Sequence, residues 1–127
     1  MDMSNYLANA VVNATVRGQS YATPATTYLA LFLSDPTKNG TGTEVSGASY
    51  SRVPITMSEP VNGTSANPSD IEFATASTNW GLVTHVAIYD AISNGNMLFF
   101  TVLDDDKNIE SGDVFKVAMN NLSLNIQ

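Results

Sequence analysis

The first hydrophobic pattern along the chain has the 3.6-residue period of a helix. Its apolar residues recur at i, i+3, i+4 and i+7 and are Leu7, Ala10, Val11 and Ala14. Ser4 precedes them where its hydroxyl can cap the first turn, and Gly18 follows as a stop. We therefore predict an N-terminal helix within residues 1–18. A helix this short is marginal alone in water, so it must dock on its own sheet or on a neighbouring subunit.

From residue 26 the period becomes two, as in β-strands. Residues 26–34 place leucines on one face and Tyr, Ala and Phe on the other, so we expect a strand covered on both sides. Residues 83–91 and 97–103 flank an Asn-Gly pair and predict an antiparallel hairpin. Shorter strands are predicted at 50–57, 71–74, 114–119 and 122–126. Because Pro54 cannot donate a ladder hydrogen bond, the first of these is expected to lie at a sheet edge or to carry a bulge.

These elements predict a mainly β fold: a single-domain, antiparallel, jelly-roll-like β-sandwich with one N-terminal α-helix. The chain has 127 residues and a mass of 13.5 kDa, which favours one domain over residues 1–127. Within it we expect the helix in residues 1–18 and a β-rich body in 26–127. The stretches 59–70 and 104–113 are predicted to be loops.

Charge and composition exclude several classes of function. The net charge of −7 argues against nucleic-acid binding, which depends on cationic neutralisation of phosphates. With no cysteine there is no disulfide, thiolate metal site or cysteine nucleophile. We find neither an apolar run long enough to span a membrane nor an export signal, and we expect no membrane partner.

The candidate chemistry is sparse, and we predict no catalytic, cofactor-binding or metal-binding residue. His85, the single histidine, lies on a strand face with small apolar neighbours, which is typical of a core or interface histidine more than of a catalytic base. Trp80 is interpreted as a core residue more than as a sugar-stacking platform. The acids Asp104, Asp105 and Asp106 can be a calcium site or a solvated acidic turn that also protects a sheet edge. The sequence therefore predicts a protein that is not an enzyme.

Five segments together resemble a family of small tailed-bacteriophage virion proteins. The most specific runs from Trp80 to Ala91 as W-G-x-V-T-H-x-x-I-Y-D-A. The others are SNYLANAVV, YLALFLSDPT, GTGTEVSGASYSR and IESGDVFKV, so the resemblance covers nearly the whole chain. Members of this family are often labelled "phage tail fibre protein", and related proteins of this size are capsid cement or decoration proteins.

The resemblance implies a structural protein of the virion, made in the host cytoplasm. A compact chain without heptads or repeats favours a capsid cement protein that stabilises the shell by multivalent contacts with the major capsid protein. The alternative is a tail-fibre or baseplate adaptor or receptor-binding module that contacts tail proteins. We expect a homo-oligomer, with a trimer as one form of it. Leu7, Val11 and Ala14 are the candidate protein-interface residues, with burial in the chain's own core as the alternative.

Overall fold

The computed structural model describes residues 1–126. In these residues the elements, in chain order, are β1 (Asp2–Met3), α1 (Asn5–Val16), β2 (Thr27–Phe32), β3 (Val53–Ile55), β4 (Thr64–Ala66), β5 (Ile71–Glu72), β6 (Gly81–Tyr89), β7 (Met97–Ile109), β8 (Lys116–Val117) and β9 (Ser123–Asn125). Five strands form one antiparallel sheet in the order β1-β7-β6-β2-β3. The pairs β4–β9 and β5–β8 form two smaller antiparallel sheets.

Both faces of β2 are buried, as its two-sided apolar pattern predicts. Leu29 and Leu31 pair with Ile88 and Val86 of β6, and these four side chains belong to the larger core cluster. That cluster also contains residues from the small sheets and their flanks, namely Ile71, Phe73, Phe115 and Leu122. A second cluster includes residues from the opposite face of β2 and β6: Ala30, Phe32, Ala87, Tyr89, Met97 and Phe100. The five-stranded sheet therefore has a buried side-chain cluster on each of its faces.

The predicted class, mainly β and antiparallel with one N-terminal helix, is confirmed. Opposite the five-stranded sheet, the larger cluster is completed by the two short sheets. Their strands are only two or three residues long. The predicted edge position of Pro54 is also confirmed, since β3 lies at the end of the large sheet.

The Asn-Gly hairpin between β6 and β7 forms as predicted. The connection runs from residue 90 to residue 96, and within it Asn94 and Gly95 have positive φ values of 54° and 73°, which asparagine and glycine adopt more readily than other residues. The Asp90 carboxylate closes the turn by accepting from the backbone N–H of Asn96 at 2.7 Å. A Cβ added to Gly95 would lie 2.6 Å from the Asp90 side chain, so only glycine fits there.

Two stretches predicted as loops contain strands. Residues 64–66 form β4 because they pair with β9, a long-range contact that local turn signals do not report. Residues 104–109, predicted as a polar connection, continue β7. Strand β1 was not predicted, since it is only two residues long and exists by pairing with Phe99 and Phe100. No helix among residues 1–126 has the length and apolar content needed to cross a bilayer.

Candidate functional site

Helix α1 is fixed to the body by its N-terminal turn. The Ser4 hydroxyl accepts from the backbone N–H of Leu7 at 3.1 Å, which confirms the predicted cap. Ser4 is itself buried, and its backbone N–H donates to the Leu98 carbonyl at 2.9 Å. Asn5 adds a side-chain hydrogen bond to Asn39 at 2.8 Å. These contacts fix both the position and the direction of the helix.

The C-terminal half of α1 exposes apolar side chains. Val11, Val12 and Val16 are 39%, 52% and 76% exposed, and Ala14 is exposed as well. None of the twelve residues from Asn5 to Val16 is charged. A surface helix ordinarily carries charged or polar residues on its outer face. We call Val11, Val12, Ala14 and Val16 the α1 apolar surface.

The structure divides the predicted interface residues into two groups. Leu7 is 7% exposed and belongs to the larger core cluster, so it packs within its own chain. Val11 and Ala14 lie further along the same stripe, where they are exposed. Val12 and Val16 were missed because they lie off the predicted stripe. The absence of charge from the whole segment is the sequence signal that could have found them.

His85 and the acid nearest to it in sequence do not form a catalytic pair. The Nδ1 atom of His85 lies 2.7 Å from the Thr84 hydroxyl. Asp90 is five residues along the strand, about 16 Å away at strand rise, and its carboxylate is hydrogen-bonded to Asn96 in the hairpin turn. The geometry gives His85 no carboxylate on its own strand with which to act as a base.

Trp80 is a core residue, in agreement with its interpretation from the sequence. Its side chain is 4% exposed, and its indole N–H donates to the Ala48 carbonyl at 3.0 Å. The Tyr50 ring packs edge-on against it, with ring centres 5.4 Å apart. A Cβ added to Gly47 would lie 2.5 Å from the indole, so this close approach requires glycine. The indole is not available to stack on a sugar.

The three acids at 104–106 lie in a bulge of strand β7. Val83 and His85 of β6 pair with Lys107 and Val102, so β7 advances five residues where β6 advances two. The side chains of Asp104, Asp105 and Asp106 are exposed. Among residues 1–126, no three His, Asp or Glu side chains converge as metal ligands would. An exposed acidic bulge on a strand near the sheet edge fits the predicted edge protection.

Arg52 is the centre of a buried polar cluster that sequence reasoning missed. Its Nε and Nη2 atoms donate to the two carboxylate oxygens of Glu44, each at 2.9 Å. Its Nη1 donates to the carbonyls of Ala91 and Asn94, both at 2.8 Å. The guanidinium carbon also lies 3.8 Å from the centre of the Tyr89 ring. Because four of its five N–H groups donate within the chain, Arg52 joins the β6–β7 turn to the segment before β3.

Tyr50 completes this cluster from the side of the core. Its hydroxyl donates to Glu44 at 2.6 Å and accepts from the backbone N–H of Leu31 at 3.1 Å. Burial, together with the hydrogen bond to Glu44, raises the Tyr50 pKa well above its ordinary value. The hydroxyl therefore stays protonated at neutral pH as a donor to the carboxylate. The cluster stabilises the fold and offers no reactive group.

A groove of about 490 Å³ lies between β7 and the chain around β8 and β9. Its apolar wall includes Leu103, Phe115 and Leu122, of which the last two belong to the core. Its polar lining mixes acidic and basic side chains, such as Asp104 and Lys107. Charges of opposite sign on one wall do not select an ion.

Comparison with known proteins gives one family. Residues 2–125 match the family model described as "Podophage GP4 fiber I protein gp80". No curated protein matches the chain. The match covers both α1 and the β-rich body.

Proposed function

Because the chain belongs to the Podophage GP4 fiber I protein gp80 family, it is a phage structural protein of the fibre type, and we propose that it is built into a virion fibre through the α1 apolar surface. The observation that carries this proposal is a rigidly anchored helix whose outer half is exposed, apolar and uncharged. Such a surface is typical of a protein–protein contact, since it gains free energy when it leaves water.

The distribution of apolar side chains favours a fibre subunit over a capsid cement protein. Of the eleven large apolar residues that are exposed in the described chain, three belong to the α1 apolar surface and a fourth, Tyr6, lies in the first turn of the same helix. The other seven lie in separate loops and strands, at Val61, Leu82, Ile92, Val102, Val114, Met119 and Ile126. One contiguous apolar surface marks one main interaction site, and we propose that this site attaches the chain within a fibre. The family description also names a fibre.

The proposed role involves no catalysis. The chain has one histidine, and its Nδ1 lies within hydrogen-bond distance of a neighbouring threonine. The buried Arg52, Glu44 and Tyr50 are hydrogen-bonded to one another and to the backbone. The exposed α1 apolar surface is suited to binding other proteins, and we propose that the partners are structural proteins of the same virion.

The copy number in the particle separates the two structural roles. We expect the chain to be more than about tenfold less abundant than the major capsid protein, because a cement protein saturates a lattice of equivalent sites whereas a fibre does not. Quantitative mass spectrometry of purified virions, with isotope-labelled peptides from both proteins, measures this ratio. A ratio near one would establish the cement role and end the fibre proposal.

A further inference from the structure

We infer that the α1 apolar surface is covered by the same surface of other copies of this chain, in a helical bundle of three or more copies. This inference rests on the proposed function in using the same surface, and it names the partner that the surface meets. Three features lead to it: the charge of the helix, the width of its apolar arc and the rigidity of its attachment.

The charge distribution favours an identical partner. The chain carries a net charge of −7, so two copies that approach through their acidic surfaces repel each other. From residue 3 to residue 34 there is no acidic residue, and the single basic residue is Arg17. Identical copies can therefore meet along α1 without like-charge repulsion. A basic partner protein would instead be attracted to the acidic surfaces elsewhere.

The width of the apolar arc requires more than one neighbour. At 100° per residue, the arc from Ala14 through Val11 and Val12 to Val16 spans about 200°. Thr15 also lies within this arc, and its hydroxyl is satisfied by the Val11 carbonyl at 2.7 Å. A surface helix that faces a single core ordinarily has an apolar stripe of about 100° or somewhat more, which is narrower than this arc. Each helix therefore has two neighbours, which for identical copies means a closed ring of at least three.

The attachment of α1 makes this contact favourable. The Ser4 cap, the Ser4–Leu98 hydrogen bond and the Asn5–Asn39 hydrogen bond hold the N-terminal turn. The remaining helix is thus presented in one orientation before any partner arrives. Association then costs less conformational entropy than it would for a mobile segment.

The molar mass of the purified full-length chain in solution tests the inference. We expect light scattering during size-exclusion chromatography to give at least three times 13.5 kDa. The double variant V12D/V16D, which places carboxylates within the arc, is expected to be monomeric with unchanged circular dichroism. V61D is the matched control, because Val61 is 70% exposed, close to the 76% of Val16, but lies outside α1. A monomeric wild type, or V12D/V16D at wild-type mass, would overturn the inference.

Cross-linking locates the contact without relying on a disruptive variant. The chain has no cysteine, so V16C and V61C each carry one thiol on a clean background. A short bismaleimide reagent is expected to convert V16C to a covalent dimer and to leave V61C monomeric. Equal cross-linking of the two variants would place the contact elsewhere and refute the helical bundle. The virion copy number decides the fibre role separately, so either proposal can fail while the other stands.

Discussion

Replacing Arg52 with methionine is expected to lower the free energy of unfolding by about 3 kcal/mol, because removing one member of a buried ion pair leaves the other uncompensated. Glu44 would lose both of its 2.9 Å hydrogen bonds, and the carbonyls of Ala91 and Asn94 would lose their donor. The Glu44 side chain is 25% exposed, so water can partly rehydrate it, which keeps the effect at the lower end of the usual range. Urea unfolding followed by Trp80 fluorescence measures the change.

Two further variants make this result specific to the ion pair. Arg17→Met removes the same group from an exposed arginine that makes one side-chain hydrogen bond, to Asn13, and it should cost about 0.5 kcal/mol or less. Adding Glu44→Gln to Arg52→Met should restore part of the loss, because the unpaired charge is then gone. Equal destabilisation by Arg17→Met and Arg52→Met would show that the buried cluster contributes no more to the free energy of unfolding than an exposed arginine does.

The second large effect is expected at Asn67, which is completely buried. Its side-chain amide donates to the carbonyls of Ser69 and Ala118, at 2.8 and 3.0 Å. Its side-chain oxygen accepts from the backbone N–H of Leu122 at 2.8 Å. Asn67→Asp keeps the shape but turns the donating group into an acceptor that faces two carbonyl oxygens. We expect a loss of about 3 kcal/mol at pH 7, since a buried charge is left facing acceptors.

The pH dependence of the Asn67→Asp effect supplies its test. Burial raises the pKa of the introduced carboxyl in the folded state, so its proton is held more tightly there than in the unfolded chain. The penalty is therefore largest at neutral pH and shrinks as the pH falls towards 4. Asn79→Asp is the control, because Asn79 is exposed and its side-chain oxygen accepts from the Ser111 N–H, which a carboxylate also can. A penalty that does not change with pH would rule out this explanation.

The sequence predicted the parts of the fold that local patterns determine. Ser4 capped the first turn of α1, and Asn94-Gly95 closed the hairpin between β6 and β7. The two-sided apolar pattern of β2 corresponded to burial on both faces. Strand β4 was not predicted because its partner β9 lies almost sixty residues away in the sequence. Local sequence patterns do not indicate such a long-range pairing. Residues 104–109 were predicted to be a loop because most of them are charged, although they form part of strand β7.

The candidate site was predicted only in part, for a similar reason. The helical period predicted that Leu7, Val11 and Ala14 share one face of α1. It could not predict how far the β-rich body extends along that face, and this extent is what buries Leu7 and leaves Val11 exposed. The Arg52 cluster joins side chains that are distant in sequence, so no motif could indicate it. The lack of charged residues throughout α1 is visible in the sequence, and it indicates the exposed apolar surface better than the helical period does.

Incorporation of α1 variants into particles tests most directly whether this chain functions by assembly through its helix. Phage carrying V12D/V16D, V61D or the wild-type chain are purified, and the protein is quantified against the major capsid protein by mass spectrometry. Loss of the α1 surface is expected to reduce the chain in particles by at least about tenfold, because aspartates cannot be buried in an apolar contact without large cost, while V61D stays at the wild-type level. Wild-type amounts of V12D/V16D in the particles would contradict assembly through α1.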